Sequence, residues 1–481
     1  MRMKPMLIFV YALLFTIATG PLGPESLGLE SLGLESLRPE SLELRILTPR
    51  IVAEVLQVNL DEAVALGIQN SKTLKQKLIA VNAARAALQA AKSSYYPTVS
   101  VSANYTHLFE EQKTSEITLN GFTIPEMYTG STDPISLSAD LKQTIYTFGK
   151  LKNSVEIAEE TLKLAELELE EEKRSLIVEI KRAFYWYILA GEVLKVQEQT
   201  LEYKKETLRV ARKRFDAGLS PDYEVLSAES DVENFRPTVI SSDNQVRYAL
   251  LAVKDLLGVA EGEEFDVELI GELVAEYFAF KREELIEKAM EYKYEIGQAE
   301  NTIAIAELNS RITKSEKKPV IAGFMNYRAQ SGFDSSGKPR YWGEDSWDGD
   351  LSVGVSVSMP LSAIFPWSRE RAEIVQSTLE LEQLKLGLGS LESGIRLSIE
   401  NLLLRLEEER AKILSGEKGV ELASRLFSSA KERYEKGMAS SMELQDSQVS
   451  LNAAQLGYLQ SVYNYKVAVL DLMDAVGVYQ F

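Results

Sequence analysis

The sequence predicts an α+β membrane protein with two internal structural repeats, each joining a long helical hairpin to two β-strands. Three observations point there. Ile374, Leu381, Leu388, Ile395 and Leu402 fall seven residues apart without a slip, which marks a helix face pressed against other helices. Shifting that stripe back by 219 residues gives Val155, Leu162, Leu169, Leu176 and Ala183, again every seven, so the pattern occurs twice. Ahead of each stripe the period falls to two, with apolar residues alternating with serines, as in strands whose two faces differ.

Composition narrows the class. The chain has 481 residues, 45% hydrophobic and 26% charged, which is ordinary for a folded protein. Its net charge of -19 supplies no basic patch, so nucleic acid is not an expected partner. The absence of cysteine excludes thiolate metal sites, disulfides, thiol nucleophiles and a lipid-modified N-terminal cysteine. Residues 1–20 place Arg2 and Lys4 before an apolar run from Met6 to Ile17, followed by Ala18 and Gly20. That is the layout of a signal peptide, and the run is shorter than the ~20 residues of a spanning helix. Residues 21–52 form a low-complexity segment, with GPESL, GLESL, GLESL and RPESL over 23–42. It reads as a tether with nothing of its own to pack on.

The first repeat is expected over 53–258 and the second over 282–478, with 259–281 as linker. Each opens with shorter helical segments that end at Pro97 and Pro319. Strands follow. Val99, Val101, Ala103, Tyr105 and His107 oppose Ser100, Ser102, Asn104 and Thr106. Ile135, Leu137, Ala139, Leu141 and Ile145 oppose Ser136, Ser138, Asp140, Lys142 and Thr144. Leu351, Val353, Val355, Val357 and Met359 oppose Ser352, Gly354, Ser356 and Ser358. The strand near 320–329 is less regular: Ile321, Met325 and Tyr327 share one face while Phe324 sits on the other. Stretches 109–134 and 330–350 are long, polar and aromatic, like external loops. Strands of this kind fit a membrane β-barrel, although a half-buried strand in a soluble sheet alternates in the same way.

The long helices are expected over 151–216 and 370–435, each ~100 Å at 1.5 Å per residue. Each carries one eleven-residue step in its stripe, from Leu176 to Tyr187 and from Ile395 to Leu406, so both are rewound at the same depth. Gly218 and Gly437 stop them, and four-residue tips lead into returning helices. The tips "RFDAGLSPDYEV" and "RYEKGMASSMEL" align Arg214, Phe215, Gly218 and Glu224 with Arg433, Tyr434, Gly437 and Glu443.

In hydrocarbon an open sheet edge leaves backbone groups unpaired, so a membrane sheet must close. Four strands cannot close a barrel. Two copies give eight strands with a filled interior, and three give twelve with room for a lumen. The serine-rich faces favour the wet lumen. The expected assembly is therefore a homotrimer, with a 12-stranded β-barrel continuous with a 12-helix α-barrel.

The tip motifs, Pro97 and Pro319 before strands, and the twofold order helix–strand–strand–helix–helix over about 53–478 resemble the outer membrane efflux protein family, the TolC-like channel-tunnels. "TFGK" at 147–150 and "FPWSR" at 365–369 also fit. The resemblance implies a passive trimeric exit duct in the cell outer membrane, its tunnel extending into the periplasm. A periplasmic adaptor and an inner-membrane transporter, of an efflux or type I secretion system, would be its partners beside outer membrane lipid. It implies adaptor-docking tips at Gly218 with Leu219 and Gly437 with Met438. It implies an entrance at Glu443 and Asp446, with Glu224 as the first-repeat counterpart and Tyr434 in a closing network. Ala439 stands where the family has an arginine, a departure from the family's usual salt-bridge latch that leaves closure to other contacts or makes it looser.

A periplasmic coiled-coil scaffold or adaptor without a membrane barrel is the alternative, and detergent-dependent extraction separates the two. No enzyme, cofactor or metal site is expected. His107 is the only histidine, and no phosphate loop or nucleophile motif appears.

Overall fold

The computed structural model describes residues 54–107, 109, 116–119, 122–124, 134–259, 265–331 and 347–479. The signal peptide, the 21–52 segment, most of both proposed loops (with Tyr341 and Trp342) and Phe481 lie outside the described residues.

The described elements fall into two halves. The first half runs β1 (Glu54–Val58), α1 (Leu60–Asn70), α2 (Lys72–Ser93), β2 (Thr98–Tyr105), a short hairpin of β3 (Ile117–Leu119) and β4 (Phe122–Ile124), β5 (Ile135–Tyr146), α3 (Lys150–Asp216) and α4 (Asp222–Leu256). The second runs β6 (Phe265–Leu269), α5 (Arg282–Tyr292), α6 (Tyr294–Ser315), β7 (Val320–Ser331), β8 (Trp347–Ser358), α7 (Arg369–Glu435) and α8 (Ser441–Val476). Both α3 and α7 have 67 residues, as the matched stripes require.

Three features were not legible as pattern. The opening helical segment of each repeat is broken in two, at Ser71 and at Lys293. Ser71 leaves the helical region and its Oγ accepts from the Leu74 N–H at 3.2 Å, starting a new helix. The proposed linker contains β6, which pairs in parallel with β1 in the register Val58↔Leu269. The tips, Ala217–Pro221 and Lys436–Ser440, are five residues long rather than four.

One compact unit holds residues 96–145 and 321–357, the strands. Its four-stranded sheet has the order β2-β5-β7-β8, so β2 and β8 are its edges. β2 and β5 are antiparallel in the register Val101↔Ala139. Residues on both faces of β2 and β8 are exposed. Val99, Val101, Tyr105, Leu351, Val353, Val355 and Val357 are exposed. On the other face Ser102 and Ser138 share a 2.8 Å hydrogen bond and Asn326 donates to Asp140. The irregularity of β7 has a physical cause. Phe324 lies over Gly354 of β8, whose absent Cβ would sit 2.6 Å from the ring. The aromatic ring fills the space that a strand glycine leaves.

The helices, with β1 and β6, make the second unit. Two cores repeat in it. One gathers Val58, Leu176, Ile180, Phe184, Val253 and Leu269; the other gathers Ile395, Ile399, Leu406, Val462 and Leu472. In the first part of their course α3 and α7 pack on α6, and α2 packs on α3; further along, α3 and α7 both pack on α8, and α4 on α3. The exchange of partners falls where the heptad steps. Arg174 of α3 lies 3.4 Å from both Glu295 of α6 and Asp474 of α8. On α7 the exchange lies between Lys385, paired with Glu307 of α6, and Arg405, paired with Asp471 of α8. The eleven-residue step therefore re-aims the apolar stripe from one neighbour to the next. No helix among the described residues is long and apolar enough to cross a membrane.

Candidate functional site

The tips of the two hairpins share one backbone solution. After α3, Gly218 takes φ +71°, its N–H donates to the Phe215 carbonyl, and the Leu219 N–H donates to the Arg214 carbonyl at 2.8 Å. After α7, Gly437 takes φ +74°, with matching bonds to Tyr434 and, from Met438, to Arg433. These paired bonds satisfy the last helical carbonyls and need a residue free to adopt positive φ. Each turn leaves its next side chain in water: Leu219 and Met438 are exposed, as are Tyr223 and Met442 beside them.

Beyond the glycines the tips diverge. Ser440 caps α8, its Oγ accepting from the Glu443 N–H at 3.1 Å. Pro221 occupies the equivalent position before α4 and offers no side-chain cap. The matched arginines turn different ways. Arg433 closes onto its own hairpin, with Nη1 2.6 Å from Glu443 Oε1 and Nη2 donating to the Met438 carbonyl. Arg214 crosses to the other hairpin, donating to the Tyr434 carbonyl at 3.4 Å and placing its guanidinium 5.1 Å from the centre of the Tyr434 ring.

Tyr434 is buried with Phe427, Ala430, Leu444 and Leu451, and Val210 of α3 packs against that cluster. Burial raises its phenol pKa, the nearby Glu224 charge adds to the rise, and Arg214 opposes it. Glu224 is half-buried, and its Oε2 has no hydrogen-bond partner within the chain. On α8 Glu443 and Asp446, three residues apart, are exposed, while Leu444, Ser447 and Gln448 are buried. Ala439 packs against the Tyr434 cluster.

One set of contacts was missed by the sequence reading. Below the tip, Asn452 of α8 donates to Gln197 Oε1 at 3.2 Å and to Thr200 Oγ1 at 2.9 Å on α3. Gln448 donates to the Thr200 carbonyl at 3.1 Å. Gln197, Thr200 and Gln448 are buried, so this ladder and the Arg214–Tyr434 contact together hold the second hairpin to the first. The available signal was polar residues interrupting apolar stripes on both helices. The structure brings Tyr434, Glu224 and Arg214 together. Glu443 and Asp446 share a helix face apart from that cluster. Among the described residues no group of carboxylates and histidine could hold a metal ion.

The family model described as Outer membrane efflux protein matches residues 64–259. Outer membrane efflux protein BepC of Brucella suis is 22% identical, covering 71% of this chain and 72% of its own length. Nodulation protein T of Rhizobium leguminosarum is 21% identical over 85% of this chain and 84% of its own. Among solved structures, the outer-membrane channel OprN superposes with a TM-score of 0.71 at 17% identity, covering 87% of this chain and 89% of that one. The Campylobacter jejuni CmeC outer membrane channel gives 0.72 at 17%, covering 87% and 85%. Residues 64–259 thus match the outer membrane efflux protein model, and the fold is similar to that of the outer membrane channels OprN and CmeC.

Proposed function

We propose that three copies of the chain form the passive exit duct of a tripartite efflux or type I secretion system. Cargo reaches it from an inner-membrane transporter, through a periplasmic adaptor, and the duct itself catalyses nothing. One observation carries the reading: a four-stranded sheet whose edges, β2 and β8, are unpaired among the described residues, with an exposed apolar face. Such a sheet is stable in lipid only if its edges pair with those of other copies. The repeat boundaries at 53–258 and 282–478 then alternate around a ring of twelve strands and twelve helices.

The exposed Leu219 and Met438 beside Gly218 and Gly437 are the surfaces offered to the adaptor. Glu443 and Asp446 ring the periplasmic entrance, where three copies of each concentrate negative charge and favour cations. Tyr434, with Glu224, keeps the second hairpin against the first while the entrance is closed. Recordings in planar bilayers test this. Wild type is expected to be cation-selective with low conductance, and Glu443→Ala with Asp446→Ala to weaken that selectivity. Unchanged selectivity and conductance in the double variant would remove the entrance assignment.

A further inference from the structure

We infer that one end of the helical unit, the end from which α6 passes into β7 and at which α7 begins, is a docking surface for anionic phospholipid headgroups. Phosphatidylglycerol and cardiolipin in the leaflet facing the periplasm have the required chemistry. The inference rests on the membrane duct proposed above and names the lipid that meets its helices.

The ends of three helices gather there. Helices α6 and α7 run side by side, with Ser310 Oγ and Ser377 Oγ 3.4 Å apart. From that level Lys314 lies about 6 Å onward along α6 and Arg371 about 9 Å back along α7, at ~1.5 Å per residue. Both therefore reach the same end. The start of α3 joins them. The Ser315 hydroxyl donates to the Phe148 carbonyl at 3.2 Å, and Lys150 pairs with Glu316 at 3.1 Å.

This corner is basic in a chain of net charge -19. Over 314–318 and 369–373 five cations stand against three carboxylates, and the carboxylates are engaged. Glu316 holds Lys150, Glu373 holds Arg369 at 2.6 Å, and Glu370 accepts from Ser362 Oγ at 2.8 Å. Among the described residues Lys314, Lys317, Lys318 and Arg371 have no carboxylate within ion-pair distance. Lys314, Lys318 and Arg371 are exposed. Lys318 lies over the Phe148 ring, 5.6 Å from its centre, a contact that leaves its charge in place.

An aromatic pair stands beside these cations. In the turn that leads into α7, the rings of Phe365 and Trp367 stack with centres 5.0 Å apart and planes 15° apart. Trp367 is 81% exposed, and Phe365 and Leu361 are exposed too. A bare tryptophan has no core to fill, and its apolar body and N–H both find partners at headgroup depth. The combination selects its occupant. A neutral headgroup covers the rings but leaves the four cations uncompensated. A free anion pairs with the cations but leaves the rings in water. An anionic lipid does both, through charge-assisted bonds to its phosphate. An acidic chain is otherwise repelled by an anionic surface, so the basic corner sets which end of the helical unit approaches the membrane.

Quenching by brominated lipid tests this. Full-length protein is reconstituted into phosphatidylcholine vesicles holding a fixed fraction of brominated phosphatidylglycerol, or the same fraction of brominated phosphatidylcholine. The Trp367 signal is the difference between wild type and Trp367→Phe. Brominated phosphatidylglycerol is expected to associate about fivefold more strongly, the worth of one cation near an anionic surface. Concentrated salt should erase the preference, as should Lys314→Gln/Lys317→Gln/Lys318→Gln/Arg371→Gln. The control Lys205→Gln/Lys213→Gln/Lys418→Gln/Lys436→Gln removes four exposed lysines elsewhere and should keep it. Equal quenching by the two lipids in wild type, or a preference that survives the first quadruple variant, would overturn the surface and leave the duct standing. Should that variant not fold, the salt series on wild type decides, and a preference unchanged by salt overturns the surface. Wild type that stays outside the vesicles, quenched by neither lipid, would remove the membrane reading itself.

Discussion

Gly218 and Gly437 do the same work in two hairpins, yet the arginines four residues before each glycine do not. Arg433 is spent on Glu443 within its own hairpin, while Arg214 reaches Tyr434 on the other. Arg214→Ala should therefore free the second hairpin and raise single-channel conductance. Arg433→Ala should change it much less, because its ion pair with Glu443 is half-exposed and such pairs contribute ~1 kcal/mol or less. Equal effects in bilayer recordings would count against the cross-hairpin role. Asn452→Leu should weaken the attachment more deeply. It leaves Gln197 and Thr200 buried with fewer partners, at a cost of about 1–3 kcal/mol. Faster hydrogen exchange along α8, with α3 unchanged, is the expected readout. The tip motif was readable because glycine has few reasons to end a helix twice at the same offset. The direction of each arginine was not, because a repeated side chain can pair within its own repeat or across to the other.

At the scale of elements, the shared stutter was the most informative signal. The step at Leu176 and at Ile395 showed in the sequence that both long helices were rewound at one depth. The structure supplies the reason, the exchange of α6 for α8 as packing partner. Arg174 sits at that exchange, buried, within ion-pair distance of Glu295 and Asp474. Burial raises the Glu295 pKa, but Lys293 and Arg174 outweigh it and the net shift is downward from 4.5. Its stabilisation is therefore present above the ordinary carboxylate pKa and is lost as pH falls through the lower folded-state value. Hydrogen exchange at the start of α6 should accelerate below about pH 4.5 in wild type, and this acid step should shrink in Glu295→Gln. The strands were legible in three cases from alternation alone. The fourth was obscured because Phe324 covers Gly354, a contact across strands that no single-strand pattern contains. The face assignment has its own test. Val353→Arg, on the apolar face, should cost about 2–4 kcal/mol near the bilayer midplane. Ser352→Arg, on the polar face, should be tolerated in a folding assay in lipid.

For the whole molecule, the decisive property is incompleteness. Among the described residues both edges of the four-stranded sheet are unpaired, and apolar side chains on α2 and α7 face water in a single chain. The long helices and the main strands were legible because they rest on periodicity, which one chain displays in full. The pairing of β1 with β6 was not, since short buried runs carry no period of their own. The number of copies depends on how many strands close a barrel with a wet interior, which is a property of the assembly. The most direct test is therefore the mass of the purified particle, by native mass spectrometry from detergent micelles. A stable species of three chains that requires detergent is the predicted result. A stable single chain that stays soluble without any amphiphile would contradict the shared barrel and everything built on it.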